Sequence, residues 1–176
     1  MIQSIKDIFR TIAEDKHKIY FLKVSYFEIY NEQIYDLLQG QDKIHEVMTL
    51  VEDVKTENFK IRGLTEMTVT SIEEILKLLH KGEVNRHYAK TVMNHSSSRS
   101  HTMFRFTVKA VSNTYVRDFK HRESMENEQE LEMSDITSMF EGKGNSKPAF
   151  ATESYLNFVD LAGSEKVSTY MDNNDD

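Results

Sequence analysis

The chain has 176 residues, of which 39% are apolar, and its mean hydropathy is −0.57. This is enough for one domain with an apolar core, and without a membrane-spanning run or a signal-peptide pattern we expect an intracellular protein with no membrane partner. The lack of cysteine excludes a disulfide framework and a thiolate zinc site, and a net charge of −7 offers no basic field for nucleic acid.

The first two predicted elements are a helix and a strand. Residues 2–14 carry apolar side chains at helical spacing, which predicts an amphipathic helix. Its apolar positions are Ile2, Ile5, Ile8, Phe9 and Ile12. Residues 19–30 are rich in β-branched and aromatic side chains, which predicts a strand buried on at least one face.

A short helix and a hairpin are predicted next. Asn31 is a suitable N-cap for a helix in which Ile34, Leu37 and Leu38 share a face. Further on, residues 50–54 and 59–61 are predicted to form a hairpin. Its turn lies at residues 56–58, and Gly63 releases the chain after it.

A long helix is predicted over residues 72–88. Ser71 and Glu74 form a capping box at its start. Its predicted buried stripe is Ile72, Ile75, Leu76, Leu79 and Val84. His80 and His87 lie on one face, but no carboxylate or cysteine accompanies them at ligand spacing, so we interpret them as structural.

In the back half of the chain, predicted strands alternate with polar, acidic segments. Apolar and polar residues alternate over 102–111, which predicts a half-buried strand. Residues 113–153 are acidic and poor in apolar residues, so a disordered insertion is predicted there. A strand at 154–160 follows, and an acidic tail occupies 168–176. Residues 113–176 hold 14 of the 29 acidic side chains but only 6 of the 22 basic ones.

Two polar segments carry the candidate chemistry. The first reads Asn-His-Ser-Ser-Ser-Arg-Ser-His over residues 94–101, between the long helix and the following strand. The second reads Asp-Leu-Ala-Gly-Ser-Glu over residues 160–165, directly after a strand. Hydroxyls of this kind can bind magnesium or phosphate oxygen, and an arginine can pair with a carboxylate.

These segments resemble switch I (N-x-x-S-S-R-S-H) and switch II (D-L-A-G-S-E) of the kinesin motor domain. Residues 24–38 are similar to the kinesin signature V-S-Y-x-E-I-Y-N-E-x-I-x-D-L-L, and residues 85–89 to N-R-x-x-A. Residues 86–88 and 102–105 are most similar to the kinesin-7, centromere-associated type. The implied fold is α/β, a mixed central β-sheet flanked by helices, similar to the P-loop NTPases.

The resemblance implies roles at a site for ATP and Mg²⁺. Ser97 would reach the γ-phosphate or the attacking water, and Ser98 the magnesium shell. Asp160 would hold a magnesium-bound water, and Gly163 would offer its backbone N–H to the γ-phosphate.

Three further residues complete the implied site. Arg99 and Glu165 would form the ion pair that closes the two loops around the nucleotide. Asn94 would contact nucleotide or water from the edge of the site. A linker or phosphosite is the ordinary alternative for a serine-rich loop, and the second segment argues against it. A serine hydrolase is excluded, because no G-x-S-x-G elbow is present and adjacent Ser100 and His101 do not build a triad.

The resemblance also implies an incomplete motor domain. No G-x-x-x-x-G-K-[ST] occurs among the six glycines, although kinesins carry this phosphate loop upstream of the first helix here. We therefore expect residues 1–112 to be the middle of the domain and 154–167 a later part of it. The isolated chain is expected to bind ATP weakly or not at all.

Two function classes stay open at this point. One is an ATP-driven microtubule motor of the cytoplasmic cytoskeleton, and the other is a non-catalytic binding or scaffold module with the same fold. For the motor, Lys55, Lys60 and Arg62 on the hairpin are candidate contacts for the acidic tubulin surface. Ordinary solvent-exposed charges remain the alternative for each of these three.

Overall fold

A computed structural model describes residues 1–53, 58–93, 100–114 and 151–163. These residues form two helices and seven strands. In chain order they are α1 (Ile2–Glu14), β1 (Lys18–Tyr30), β2 (Gln33–Asp36), β3 (Val47–Asp53), β4 (Asn58–Arg62), β5 (Met67–Val69), α2 (Ile72–Met93), β6 (Ser100–Ser112) and β7 (Ala151–Asp160).

The sheet is built around β1. Its strand order is β4-β3-β2-β1-β6-β7, with β5 also paired to β1. All 13 residues of β1 pair with β6, while β2 and β5 share the opposite edge. Every pairing within the described residues is antiparallel. The predicted α/β fold is confirmed, and the strands near 19–30, 102–111 and 154–160 do lie side by side.

The core lies on one face of this sheet, beneath both helices. Register places Tyr26, Phe104 and Phe158 in one row across β1, β6 and β7. The rings of Tyr26 and Phe104 meet edge to face with centroids 5.5 Å apart, and those of Phe104 and Phe158 are 6.4 Å apart. Phe106 is fully buried and lies 6.3 Å from Phe9 of α1. Burying one such side chain stabilises the fold by about 1.5–3 kcal/mol.

Helix α2 buries a slightly different stripe from the one predicted. Ile75 is fully buried and Leu79 packs against the core, as expected. Leu76 and Val84 are exposed, which contradicts the prediction, and Leu78 packs against the core instead. The face of α2 that meets the rest of the fold continues through residues with little or no apolar side chain. A search for apolar periodicity does not detect such residues. They are Gly82, Asn85 and Arg86.

The start of α2 has the predicted capping box. The Ser71 hydroxyl accepts the N–H of Glu74 at 3.2 Å. The Glu74 carboxylate reaches back to accept the Thr70 N–H at 2.6 Å. The helix ends at Met93, beyond the predicted end at residue 88.

The short helix predicted after Asn31 is wrong. Asn31 and Glu32 have φ values of 48° and 59°, and Tyr30 pairs with Gln33 across them. Positive φ at both central residues is the geometry of a two-residue hairpin turn. The chain therefore returns as β2, because a short apolar run fits a strand as well as a helix.

One buried carboxylate holds the base of the β3–β4 hairpin. Asp36, at the end of β2, is 1% exposed. Its two oxygens accept the N–H groups of Leu38 at 2.8 Å and Thr65 at 2.7 Å. The hairpin itself was predicted correctly, but β3 begins at Val47, three residues early. Gly63 has a φ of 78°, in keeping with its predicted role after the hairpin.

The predicted insertion and tail lie largely outside the described residues. The insertion was predicted over 113–153, and β7 already begins at Ala151. At the start of the predicted insertion, Asn113 is bound to the fold, because its side chain donates to the Lys16 carbonyl at 2.6 Å. The predicted turn at 56–58 and tail at 168–176 fall almost wholly outside, and the predicted domain boundaries stay predictions. Among the helices described, none is long and apolar enough to cross a membrane.

Candidate functional site

The structure describes some of the predicted site residues and not others. Asp160, Gly163, Lys60 and Arg62 lie within the described parts of the chain. The remaining predicted site residues lie outside them. They are Lys55, Asn94, Ser97, Ser98, Arg99 and Glu165.

The two motif segments meet at one end of the sheet. Segment 94–99 leads into Ser100, the first residue of β6, and Asp160 is the last residue of β7. Because the two strands are antiparallel, these ends coincide, and Thr102 pairs directly with Asp160. The chain leaves β7 through Leu161, Ala162 and Gly163 beside the start of β6.

A hydrogen bond joins the two segments directly. The Ala162 N–H donates to Nδ1 of His101, at 3.0 Å. His101 belongs to the first motif and Ala162 to the second. The contact requires an unprotonated Nδ1, so it fixes the ring in a form that accepts at this atom.

A buried arginine lies behind this junction. Arg86 of α2 is 9% exposed, and its Nε donates to Glu28 of β1 at 3.2 Å. Its Nη2 donates to the Ser100 hydroxyl at 3.4 Å. Its Nη1 lies 3.8 Å from Asp160 and 3.9 Å from Glu83. One guanidinium therefore faces β1, β6, β7 and its own helix.

Glu83 is held from a second side. The Tyr26 hydroxyl donates a hydrogen bond to the Glu83 carboxylate. Burial, and then this hydrogen bond, raise the pKa of Tyr26 well above its usual range. The hydroxyl therefore stays protonated and remains a donor to Glu83 across the physiological pH range.

A cavity of about 340 Å³ opens beside these groups. Its wall combines the aromatic core row with the charged groups of α2 and β7. The lining residues include Tyr26, Glu83, Arg86, Phe104, Phe158 and Asp160.

Asp160 fits the chemistry of a magnesium site. Its side chain is 76% exposed, so most of its lone pairs are available to a ligand. Within the described ranges, no group of three or more His, Asp or Glu side chains could hold a metal. Magnesium in nucleotide sites is held by one or two carboxylates together with phosphates and water, which a single exposed acid at a strand end suits.

The β3–β4 hairpin offers a second exposed surface. Lys60 and Arg62 lie two residues apart on β4, on the same face, and both are exposed. Leu50 and Phe59 are 54% and 66% exposed, which is unusual for side chains of this size. Cations and apolar side chains thus share this hairpin.

The sequence interpretation missed the Arg86 network. Arg86 and Glu28 took part in it only as members of longer motifs, at residues 85–89 and 24–38, and neither was assigned a role of its own. The available signal was Glu28 itself, a charged residue in the middle of a strand predicted to be buried. Such a residue requires a buried partner, but the sequence does not say which cation supplies it.

Comparison with known proteins agrees with this geometry. An open sheet with helices packed on it, with two motif segments meeting at neighbouring strand ends, defines an α/β domain. The kinesin motor domain family matches residues 1–176, and the chain belongs to this family.

Several curated relatives are similar over almost the whole chain. Kinesin-like protein KIN-7N of Arabidopsis thaliana is 34% identical over 94% of this chain, which spans 16% of that relative. Centromere-associated protein E of Homo sapiens is 37% identical over 94% of the chain, which spans 5% of it. Kinesin heavy chain isoform 5A of Homo sapiens is 39% identical over 93%, which spans 12% of it.

A solved structure shows the same fold. It is that of a fast kinesin, described for its ATPase mechanism and its interactions with microtubules. The match has a TM-score of 0.68 at 28% identity, and it covers 97% of this chain and 38% of that one. The chain thus spans well under half of each of these proteins.

Proposed function

We propose that this chain is part of an ATP-driven microtubule motor, with residues 94–99 and 160–165 as its nucleotide-sensing loops. The observation that carries this proposal is the junction of the two motif segments at the ends of β6 and β7. Loops that meet at neighbouring strand ends can fold onto one phosphate and relax when it leaves.

The residues of each loop have distinct proposed roles. Asn94 would contact nucleotide or water from the edge of the site, and Ser97 would reach the γ-phosphate or the attacking water. Ser98 and Asp160 would hold the magnesium shell, and Gly163 would donate its N–H to the γ-phosphate. Bound magnesium would neutralise charge on the phosphates during transfer to water.

Arg99 and Glu165 are proposed to close the loops as an ion pair. Their removal should therefore impair turnover more than nucleotide binding. In the full-length protein, Arg99→Ala and Glu165→Ala should each reduce microtubule-stimulated phosphate release by about 100-fold.

Matched controls exist on the same two strands. Arg105 of β6 donates to Asn157 at 2.9 Å, and Glu153 of β7 pairs with Lys109 at 3.1 Å. Both lie along the strands, away from the motif junction. Arg105→Ala and Glu153→Ala should leave phosphate release within about twofold of the wild type. Unchanged release in Arg99→Ala and Glu165→Ala would contradict the proposed switch.

The exposed hairpin is proposed as part of the microtubule-binding surface, in the cytoplasmic cytoskeleton. Lys60 and Arg62 support this because both are exposed and tubulin is acidic, and Lys55 is included on the basis of the sequence. Replacing all three with alanine should weaken microtubule co-sedimentation several-fold at low salt and less at high salt. Arg10→Ala on α1, where Arg10 pairs with Asp7 at 3.0 Å, is the control.

A non-catalytic binding module is the second candidate. This function predicts microtubule co-sedimentation that does not change with ATP or ADP. A motor predicts binding that differs between the two nucleotides.

A further inference from the structure

Arg86 faces two carboxylates with one nitrogen. Nη1 lies 3.8 Å from Asp160 at the end of β7 and 3.9 Å from Glu83 on its own helix. Both distances exceed that of a hydrogen bond, so Nη1 sits between two acceptors and is committed to neither. Asp160 has no other ion-pair partner within the described residues.

We infer that Arg86 is a positioning residue for the Asp160 carboxylate, and that Glu83 competes for it and so sets how readily Asp160 is released to a magnesium-bound nucleotide. This inference rests on the proposed function, because it concerns the ligand proposed for Asp160.

The rest of the guanidinium cannot move easily. Nε is held by Glu28 at 3.2 Å, where both side chains are almost completely buried. Nη2 is held by the Ser100 hydroxyl at 3.4 Å. Because the guanidinium is a rigid planar fork, fixing these two nitrogens also fixes Nη1. The choice between acceptors therefore depends on the carboxylates and not on the arginine.

The two carboxylates differ in their hydrogen bonds. The Tyr26 hydroxyl donates to one oxygen of Glu83, whose side chain is 54% exposed, and the other oxygen faces Arg86. Asp160 ends a strand, its side chain is 76% exposed, and within the described residues Arg86 is its one side-chain partner. Glu83 is thus the anchored acceptor of the two, and we expect Asp160 to be the one that turns toward a ligand.

The energetic consequence concerns magnesium. A metal that recruits Asp160 must separate it from Arg86, which leaves positive charge at Nη1 uncompensated. Glu83 supplies that compensation from 3.9 Å away. Removal of the Glu83 charge should therefore strengthen the hold of Arg86 on Asp160 and raise the magnesium concentration needed for nucleotide binding.

The test is a double-mutant cycle read out by binding. A fluorescent ADP analogue is titrated with Mg²⁺ on the full-length protein, with wild type compared to Glu83→Gln. The half-saturating Mg²⁺ concentration should rise at least about fivefold, a modest coupling between sites. Glu73→Gln, on an exposed part of the same helix, is the charge-matched control. It should change the half-saturating Mg²⁺ concentration by less than about twofold.

The same Glu83→Gln change is then made in a second protein background that lacks the Arg86 charge. This background separates competition between Glu83 and Asp160 for Arg86 from a simple loss of negative charge near the metal. Glu28→Gln with Arg86→Gln removes the buried pair together, so that neither charge is left alone. In this background Glu83→Gln should shift the half-saturating Mg²⁺ by less than about twofold. If circular dichroism shows that this pair of changes unfolds the protein, Arg86→Lys replaces it. A lysine amine cannot serve Glu28 and Asp160 together, so the same small shift is expected.

An equal shift in both backgrounds would overturn the inference, because the effect would not pass through Arg86. No shift in the wild-type background would overturn it as well. In either case, normal Mg²⁺-dependent binding by the wild type would leave the proposed function standing. A wild type that binds no magnesium nucleotide would overturn both.

Discussion

The two helices pack on the same face of the sheet but contact it differently. Helix α1 meets the core with apolar side chains along its length, and no side-chain hydrogen bond caps its start. Helix α2 begins with a capping box and packs apolar side chains at Ile75 and Leu79. It then presents Asn85 to the segment after β2 and Arg86 to Glu28 of the sheet. Helix α1 therefore contributes stability alone. Helix α2 contributes stability through its first turns, and its later residues position the candidate site.

The largest expected effect tests the polar part of α2. Glu28→Ala leaves the Arg86 guanidinium buried without its closest carboxylate, which lies at 3.2 Å in the wild type. Loss of one partner of a buried pair costs about 3–5 kcal/mol. We expect the lower end, about 3 kcal/mol in the free energy of urea unfolding, because Asp160 and Glu83 lie nearby. A loss below about 1 kcal/mol would show that the pair is not a determinant of the fold.

A comparable loss is expected from α1, but without an effect on the site. Ile5 is fully buried, and Ile5→Ala should lower the free energy of unfolding by about 2–5 kcal/mol. The affinity of the full-length protein for magnesium nucleotide should remain within about twofold below the unfolding transition. Should Ile5→Ala change that affinity by more than about twofold, the functional distinction between the helices would fail.

The close approach of α2 to the sheet gives an intermediate effect. A Cβ added at Gly82 would lie 2.2 Å from Cδ1 of Tyr26, far inside contact distance. Gly82→Ala should therefore cost about 1–3 kcal/mol through overpacking, despite the better helix propensity of alanine. Val84→Ala, at an exposed position of the same helix, should change stability by less than about 0.5 kcal/mol. Thermal unfolding followed by circular dichroism compares the two.

The capping box gives the smallest effect and a pH dependence. The pKa of Glu74 lies below its ordinary value, and the main cause is the hydrogen bond that its carboxylate accepts from the Thr70 N–H. A depressed folded-state pKa means that the stabilisation is present above the unfolded-state pKa and is lost as pH falls through the folded one. Stability should therefore decrease slightly below about pH 4.5, and Glu74→Gln should remove that part of the decrease. Identical acid profiles for wild type and Glu74→Gln would contradict this assignment.

Much of the fold could be predicted from local patterns. The long strands β1 and β6 and helix α1 have periodicities that extend over ten or more residues, and all three were predicted. Failures came where the pattern was short or depended on tertiary contacts. Residues 33–36 fit helix and strand equally, and the exposure of Leu76 depends on how Gly82 seats the helix on Tyr26.

The candidate site could be predicted only in part. Asp160 and Gly163 follow a recognisable strand, so their position at the sheet end was predictable. The Arg86 network joins residues from four separate segments of the chain, which are β1, α2, β6 and β7. Which cation meets Glu28 depends on the register of β1 against α2, and no local pattern in the sequence contains that information.

Asp36 joins the two ends of the hairpin region. Because the N–H groups of Leu38 and Thr65 bind the two oxygens of one carboxylate, the chain enters and leaves this region at the same point of the fold. The Asn85 side chain donates hydrogen bonds beside Asp36, to the carbonyls of Leu37 at 2.8 Å and Gln39 at 3.2 Å. The base of the hairpin is therefore joined by hydrogen bonds to α2 at Asn85, the residue directly before Arg86.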